Sequence, residues 1–135
     1  MTEQVIVSYA IEEAALTELY ADDQDLKLYT NDYTPTAAMT SGSFTEAEGG
    51  GYADKTILTT DWTLESNNPR DIIISGQAFS FTGALDGGAT IYGWYLYSGE
   101  AVKAAKRLDT PFTPAESGDS LTFTPRIQAG NGTPG

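Results

Sequence analysis

The chain contains neither cysteine nor histidine. Without cysteine there are no disulfides and no thiolate metal sites. Without histidine the commonest general base and the commonest metal ligand are missing as well. Any catalysis would have to rest on carboxylates, lysine or tyrosine, so no catalytic residue, no metal and no cofactor is expected. Positive charge is scarce too: seven Lys and Arg stand against nineteen Asp and Glu, for a formal charge of −12. Phosphate backbones and anionic membrane surfaces attract basic proteins, so neither nucleic acid nor a membrane is expected as a partner. No apolar run approaches the roughly 20 residues of a membrane helix. The N-terminus lacks the basic, apolar and small-residue zones of a signal peptide, which predicts a soluble product made in the cytoplasm.

What the chain does have is core material. Of 135 residues, 40% are hydrophobic, with 2 Trp, 8 Tyr and 5 Phe among them, enough for one domain spanning 1–135. One helical pattern stands out, over residues 9–20, where Tyr9, Leu16 and Tyr20 fall near helical spacing. Ahead of it, Val5, Ile6 and Val7 form a β-branched run, read as an N-terminal arm (1–8) or an edge strand. Residues 26–128 read as β-structure. Leu26, Lys27, Leu28 and Tyr29 alternate, and residues 55–64, "KTILTTDWTL", predict one strand with Leu58, Trp62 and Leu64 on one side. In "DIIISGQAFSFTG" the apolar parity switches between Ile72 and Ile74 and Phe79 and Phe81, which predicts a bulge near Gly76. "TIYGWYLY" is apolar on both faces, as in a central strand, with Ile91, Tyr95 and Tyr97 opposing Tyr92, Trp94 and Leu96. In "SLTFTPRIQ" Leu121, Phe123 and Ile127 point inward, and Pro125 marks an edge or a bulge. Turn signals separate these runs. The pattern predicts an all-β antiparallel sandwich or jelly-roll-like barrel with one short N-terminal helix, followed by a flexible tail over 129–135.

Few residues suggest chemistry. Asp22, Asp23 and Asp25 in "DDQD" have the carboxylates a calcium site needs but not the glycine and distal glutamate of an EF-hand, so a solvated turn is the expectation. Glu46 and Glu48 have the residue types of a glycosidase pair, but they precede Gly49, Gly50 and Gly51 and read as a hairpin loop. Asn131, Gly132 and Thr133 match a glycosylation acceptor, read as chance. Tyrosines are the more informative signal. Tyr33 sits in "NDYTPT", where Pro35 holds Thr34 extended. A stiff loop carrying a ring loses little entropy on contact. The aromatic strand has apolar area on both faces, which suggests an assembly surface.

The order of these pieces resembles a known family. A short helix is followed by "LKLYTNDYTPT", "SFTEAEGGGYADKTI", a Trp-containing strand, a strand ending "FSFTG", then "TIYGWYLY" and "SGDSLTFTPRI". The series, over about residues 9–127, is similar to small tailed-bacteriophage virion proteins of the capsid decoration, or head cement, type. Where that pattern has an apolar-to-acidic strand ending Trp-Ala-Glu-Arg-Phe, this chain has "AVKAAKRLDTPF", made basic by Lys103, Lys106 and Arg107 and read by default as a solvated hairpin, with a basic patch facing an acidic neighbour as the alternative. The resemblance implies a non-enzymatic protein on the outer capsid surface, made in the host cytoplasm, with the major capsid protein and itself, as a homotrimer, for partners. Candidate assembly contacts are Val5, Ile6, Val7, Tyr33, Pro35, Tyr52, Tyr95 and Tyr97. The alternative is a receptor- or glycan-binding module of a tail fibre or baseplate, stacking sugars on Tyr33, Tyr52 and the 92–97 strand.

Overall fold

The computed structural model describes residue 17 and residues 21–65, 71–99 and 101–128. Nine strands, all paired antiparallel, make up the described chain: β1 (Gln24–Tyr29), β2 (Lys55–Ile57), β3 (Thr63–Glu65), β4 (Asp71–Ile73), β5 (Gln77–Ser80), β6 (Ile91–Ser98), β7 (Ala101–Phe112), β8 (Ser120–Phe123) and β9 (Arg126–Gln128). The expected all-β class is what is observed. The arm at Val5, Ile6 and Val7, the tail over 129–135 and all of the expected helix except Thr17 lie outside the described residues.

The largest sheet has the order β2-β1-β6-β7. As "TIYGWYLY" suggests, β6 is central, flanked by β1 and β7. Two register shifts in the β6–β7 pairing redistribute its side chains. One lies between Ile91 and Gly93, the other between Leu96 and Tyr97. The first puts Ile91 in the main core with Trp94 and Leu96, while Tyr92 joins Tyr95 and Tyr97 on the opposite face. Strict alternation groups Ile91 with Tyr95 and Tyr97; the bulge overturns that grouping. Residues 101–112 are a long strand, not a solvated hairpin, because β7 follows β6 through a tight turn at Gly99, whose φ is 58°.

The remaining strands form two small sheets, β3-β4-β9 and β5-β8. They are successive parts of one bent ribbon. Ile73 opposes Arg126 and Gln77 opposes Phe123, so three residues, 74–76, lie against two, 124–125. That extra residue is the bulge expected from the parity switch. The Ile74 amide still donates to the Pro125 carbonyl across it, at 3.2 Å. Residues 55–64, by contrast, are not one strand. Thr59–Asp61 forms a 3-10 turn, in which the Asp61 carboxylate accepts the Leu58 amide at 2.7 Å, and the chain passes from the large sheet into the ribbon. Trp62 is buried as a result, while Leu58 and Leu64 are 46% and 38% exposed.

One core joins all three sheets. Leu26, Leu28, Trp94 and Leu96 of the large sheet meet Ile72, Ile74, Phe79 and Phe81 of the ribbon, with Phe123 stacked on Trp94 at 5.7 Å between ring centres. A second, smaller cluster of Tyr29, Phe44 and Tyr95 lies on the other face of the large sheet.

Candidate docking face

The second cluster exists because the chain leaves β1 and folds back over the sheet. Thr30 begins the 30–45 loop, and its amide donates to the Thr45 carbonyl at 2.8 Å. Asn31 then bridges the two ends of the loop. Its Nδ2 donates to the Ser43 carbonyl and its Oδ1 accepts the Thr45 amide, both at 2.8 Å. The side-chain amide thus replaces a rung of backbone pairing in a segment that cannot continue as a strand. Beyond it the Arg107 guanidinium, reaching over from β7, pairs with Asp32 and donates to Thr34 Oγ1.

Under this loop lies a layer of rings. Phe44 stacks on Tyr95 with centres 4.4 Å apart, and Tyr33 meets Phe44 edge-on at 5.2 Å. Tyr29 meets Phe44 edge-on at 5.0 Å, and its hydroxyl donates to the Tyr33 carbonyl at 2.9 Å. Tyr29 fits only because its partner across the strand pair is Gly93, where a Cβ would collide with the Tyr29 ring and the Lys106 carbonyl. Burial pushes the Tyr29 hydroxyl above the ordinary tyrosine value, although the Arg107 charge opposes this. Burial, reinforced by the negative charge of Glu46, pushes Tyr95 up to about 12. At the rim Arg107 lies over the Tyr92 ring, 5.3 Å from its centre, and Lys27 over Tyr97 at 5.9 Å.

Beside the rings is a polar network. Lys27 Nζ contacts Glu46 Oε1 at 3.2 Å and Asp54 Oδ2 at 3.0 Å, with only 16% of the Lys27 side chain exposed. Tyr52 donates to Glu46 Oε2 at 2.8 Å and accepts the Leu28 amide at 3.2 Å. Burial alone would lower the Lys27 pKa, but the hydrogen bonds and charges of Asp54 and Glu46 outweigh it and leave the amine above its usual value. Burial raises Tyr52 strongly, helped by its bond to Glu46 and opposed by the Leu28 amide. The effect is to hold the tyrosine as a neutral donor beside a charged lysine. This is a clasp between β1 and the 46–54 segment.

No protein-family model, curated protein or solved structure matches the chain.

The structure sorts the expected contact residues. Tyr33, Pro35 and Tyr97 are partly exposed on or beside the ring layer, where a neighbour can reach them. Tyr95 is only 5% exposed, sealed beneath Phe44, so it supports the face instead of forming it. Tyr52 is half-buried and engaged through both its hydroxyl and its ring, which stacks on Phe79 at 6.1 Å. Glu46 is tied to Lys27 and Tyr52. Glu46 and Glu48 nevertheless line one open depression together, with Thr30, Thr45, Asp86 and Ala89. Asp23 caps the Thr59 amide at 3.0 Å, and among the described residues no group of three metal-ligating side chains is assembled. Phe44, Asn31 and Arg107 carry no sequence signal as builders of this face, since each acts on partners distant along the chain. Gly93 does carry one, because a glycine inside an apolar strand marks a close approach.

Proposed function

We propose that this chain is a structural, non-enzymatic component of a tailed-bacteriophage virion. It binds the outer surface of the head as a homotrimer and stabilises contacts between subunits of the major capsid protein. The large sheet packed against the bent ribbon is read as a β-sandwich, the rigid body such a bridge needs. The observation that carries the reading is the 30–45 loop. It is stapled by Asn31, tethered by Arg107 and backed by the Phe44–Tyr95 stack, so that Tyr33 and Pro35 are held at the surface. Groups fixed before contact lose little entropy when they dock. A sugar-binding role at a tail fibre draws less support, because two of the rings it would use are already engaged: Tyr95 is buried beneath Phe44 and half-buried Tyr52 stacks on Phe79.

The test is to add purified protein to heads that lack it. Cryo-microscopy should reveal an array of many copies over the head, and the rupture temperature of the heads should rise. An unchanged rupture temperature with bare heads, or a few copies at the tail alone, would overturn the reading.

A further inference from the structure

Residues 33–45 contain no Asp, Glu, Lys or Arg, in a chain of which 19% is charged. The uncharged stretch 72–85 is explained by burial, since it supplies Ile72, Ile74, Phe79, Phe81 and Leu85 to the core. The 33–45 stretch is not explained that way. Thr34, Thr36, Ala37, Ala38 and Thr40 are all exposed on the loop. Where the sequence regains charge at each end, that charge is already matched. Asp32 is paired with Arg107, and Glu46 with Lys27 at 3.2 Å. The loop is an uncharged window on a molecule whose formal charge is −12.

The missing charge restricts the partner. An ionic surface pressed onto the window would lose its water and find no counter-charge, which costs free energy. What the window does offer is apolar. Tyr33, Pro35 and Met39 are each half-buried, and Tyr33 and Met39 pack against the ring cluster beneath the loop. Because Phe44 and Tyr95 back them, these side chains need little further ordering on contact. Burial of their remaining apolar area is a driving force that salt does not screen.

We propose that the 33–45 loop docks on an uncharged, apolar patch of the major capsid protein, with no ion pair across the contact. This rests on the virion reading above and specifies the chemistry of its contact. A second copy of the chain is a poorer occupant. Window against window is a self-complementary contact, which makes a two-fold pair and not the three-fold ring of that reading.

The experiment measures binding of the full chain to bare heads by co-sedimentation, with circular dichroism to confirm that each variant is folded. Ala38→Glu and Ala38→Lys place a charge of either sign in the window. Ala78→Glu and Ala78→Lys make the same changes of net charge on an exposed position of β5, outside it. Both Ala38 variants should bind at least roughly tenfold more weakly, because either charge is desolvated without a partner. Both Ala78 variants should bind like wild type. Wild-type binding should hold steady or strengthen between about 0.05 and 0.5 M salt. Ala38 variants that bind like wild type, a gain for one sign of charge, equal losses at Ala78, or wild-type binding that falls with salt would overturn the contact and leave the virion reading standing. Sedimentation of the proteins alone tests the other occupant. Self-association that the Ala38 variants abolish, with head binding kept, assigns the window to a second copy and overturns the proposal. Wild-type protein that does not bind heads retires the virion reading and this contact with it.

Discussion

At the scale of single residues, Asn31 and Tyr95 have roles that their neighbours cannot fill. Asn31 both donates and accepts at 2.8 Å, so Asn31→Ala leaves the Ser43 carbonyl and the Thr45 amide without this partner. The expected loss is roughly 1–3 kcal/mol, read as a lower urea midpoint with an unchanged slope. Asn31→Asp keeps the acceptor and should fall between the two. Tyr95 matters through its proton. Its folded-state pKa, about 12, stands above the ordinary value of 10.0. Its contribution to stability is therefore complete below pH 10 and is lost as pH rises through 10 towards 12, where the unfolded chain ionises first. In that window stability should fall by up to about 1.4 kcal/mol per pH unit for this group. Tyr95→Phe should flatten the decline in chemical denaturation measured across that range.

At the scale of elements, the decisive contact is the close approach of β1, β6 and the 30–45 loop. Gly93 lets the Tyr29 ring lie across β6 and reach the Tyr33 carbonyl. Gly93→Ala would force the ring and the adjoining β7 backbone apart, with an expected destabilisation of about 1–3 kcal/mol. The loop should be hit harder than the core. Amide exchange at residues 30–45 is expected to accelerate more than at β4 or β8, and uniform acceleration would refute this division. The bent ribbon is a second element-scale feature. Its bulge at 74–76 turns Ile72 and Ile74, then Phe79 and Phe81, into the same core despite their opposite parity. A parity switch around a glycine is contained within one segment, so the sequence alone makes this feature legible. The break at Thr59–Asp61 is not legible in that way, since "KTILTTDWTL" alternates well enough to pass for one strand, and only the destination of Trp62 in the shared core divides it.

At the scale of the whole molecule, three sheets share the main core, and only the smaller ring cluster belongs to the large sheet alone. β1 pairs with β2 and with β6, far along the chain, so the large sheet cannot form from a local hairpin alone. Unfolding is therefore expected to be a single cooperative transition. Trp62 and Trp94 are both buried in that core, so tryptophan fluorescence and far-ultraviolet circular dichroism should report the same urea midpoint. Two separated midpoints would mean that the ribbon and the large sheet unfold independently.

By itself the sequence determined the all-β class, the central place of "TIYGWYLY", the bulged ribbon and the poverty of catalytic side chains. Each of these follows from composition or from short-range periodicity, which the backbone geometry of a strand imposes on any segment. Tertiary structure alone decided which face each tyrosine occupies. A register shift in β6–β7 moved Ile91 into the core and Tyr92 out of it, and a loop folding back from β1 sealed Tyr95 beneath Phe44. It also decided that the basic segment is an outer strand of the large sheet. The β1–β6 pairing and the Phe44–Tyr95 stack join residues dozens of positions apart, and no local pattern encodes them because the hydrogen bonds and contacts that fix them exist only once the chain has folded.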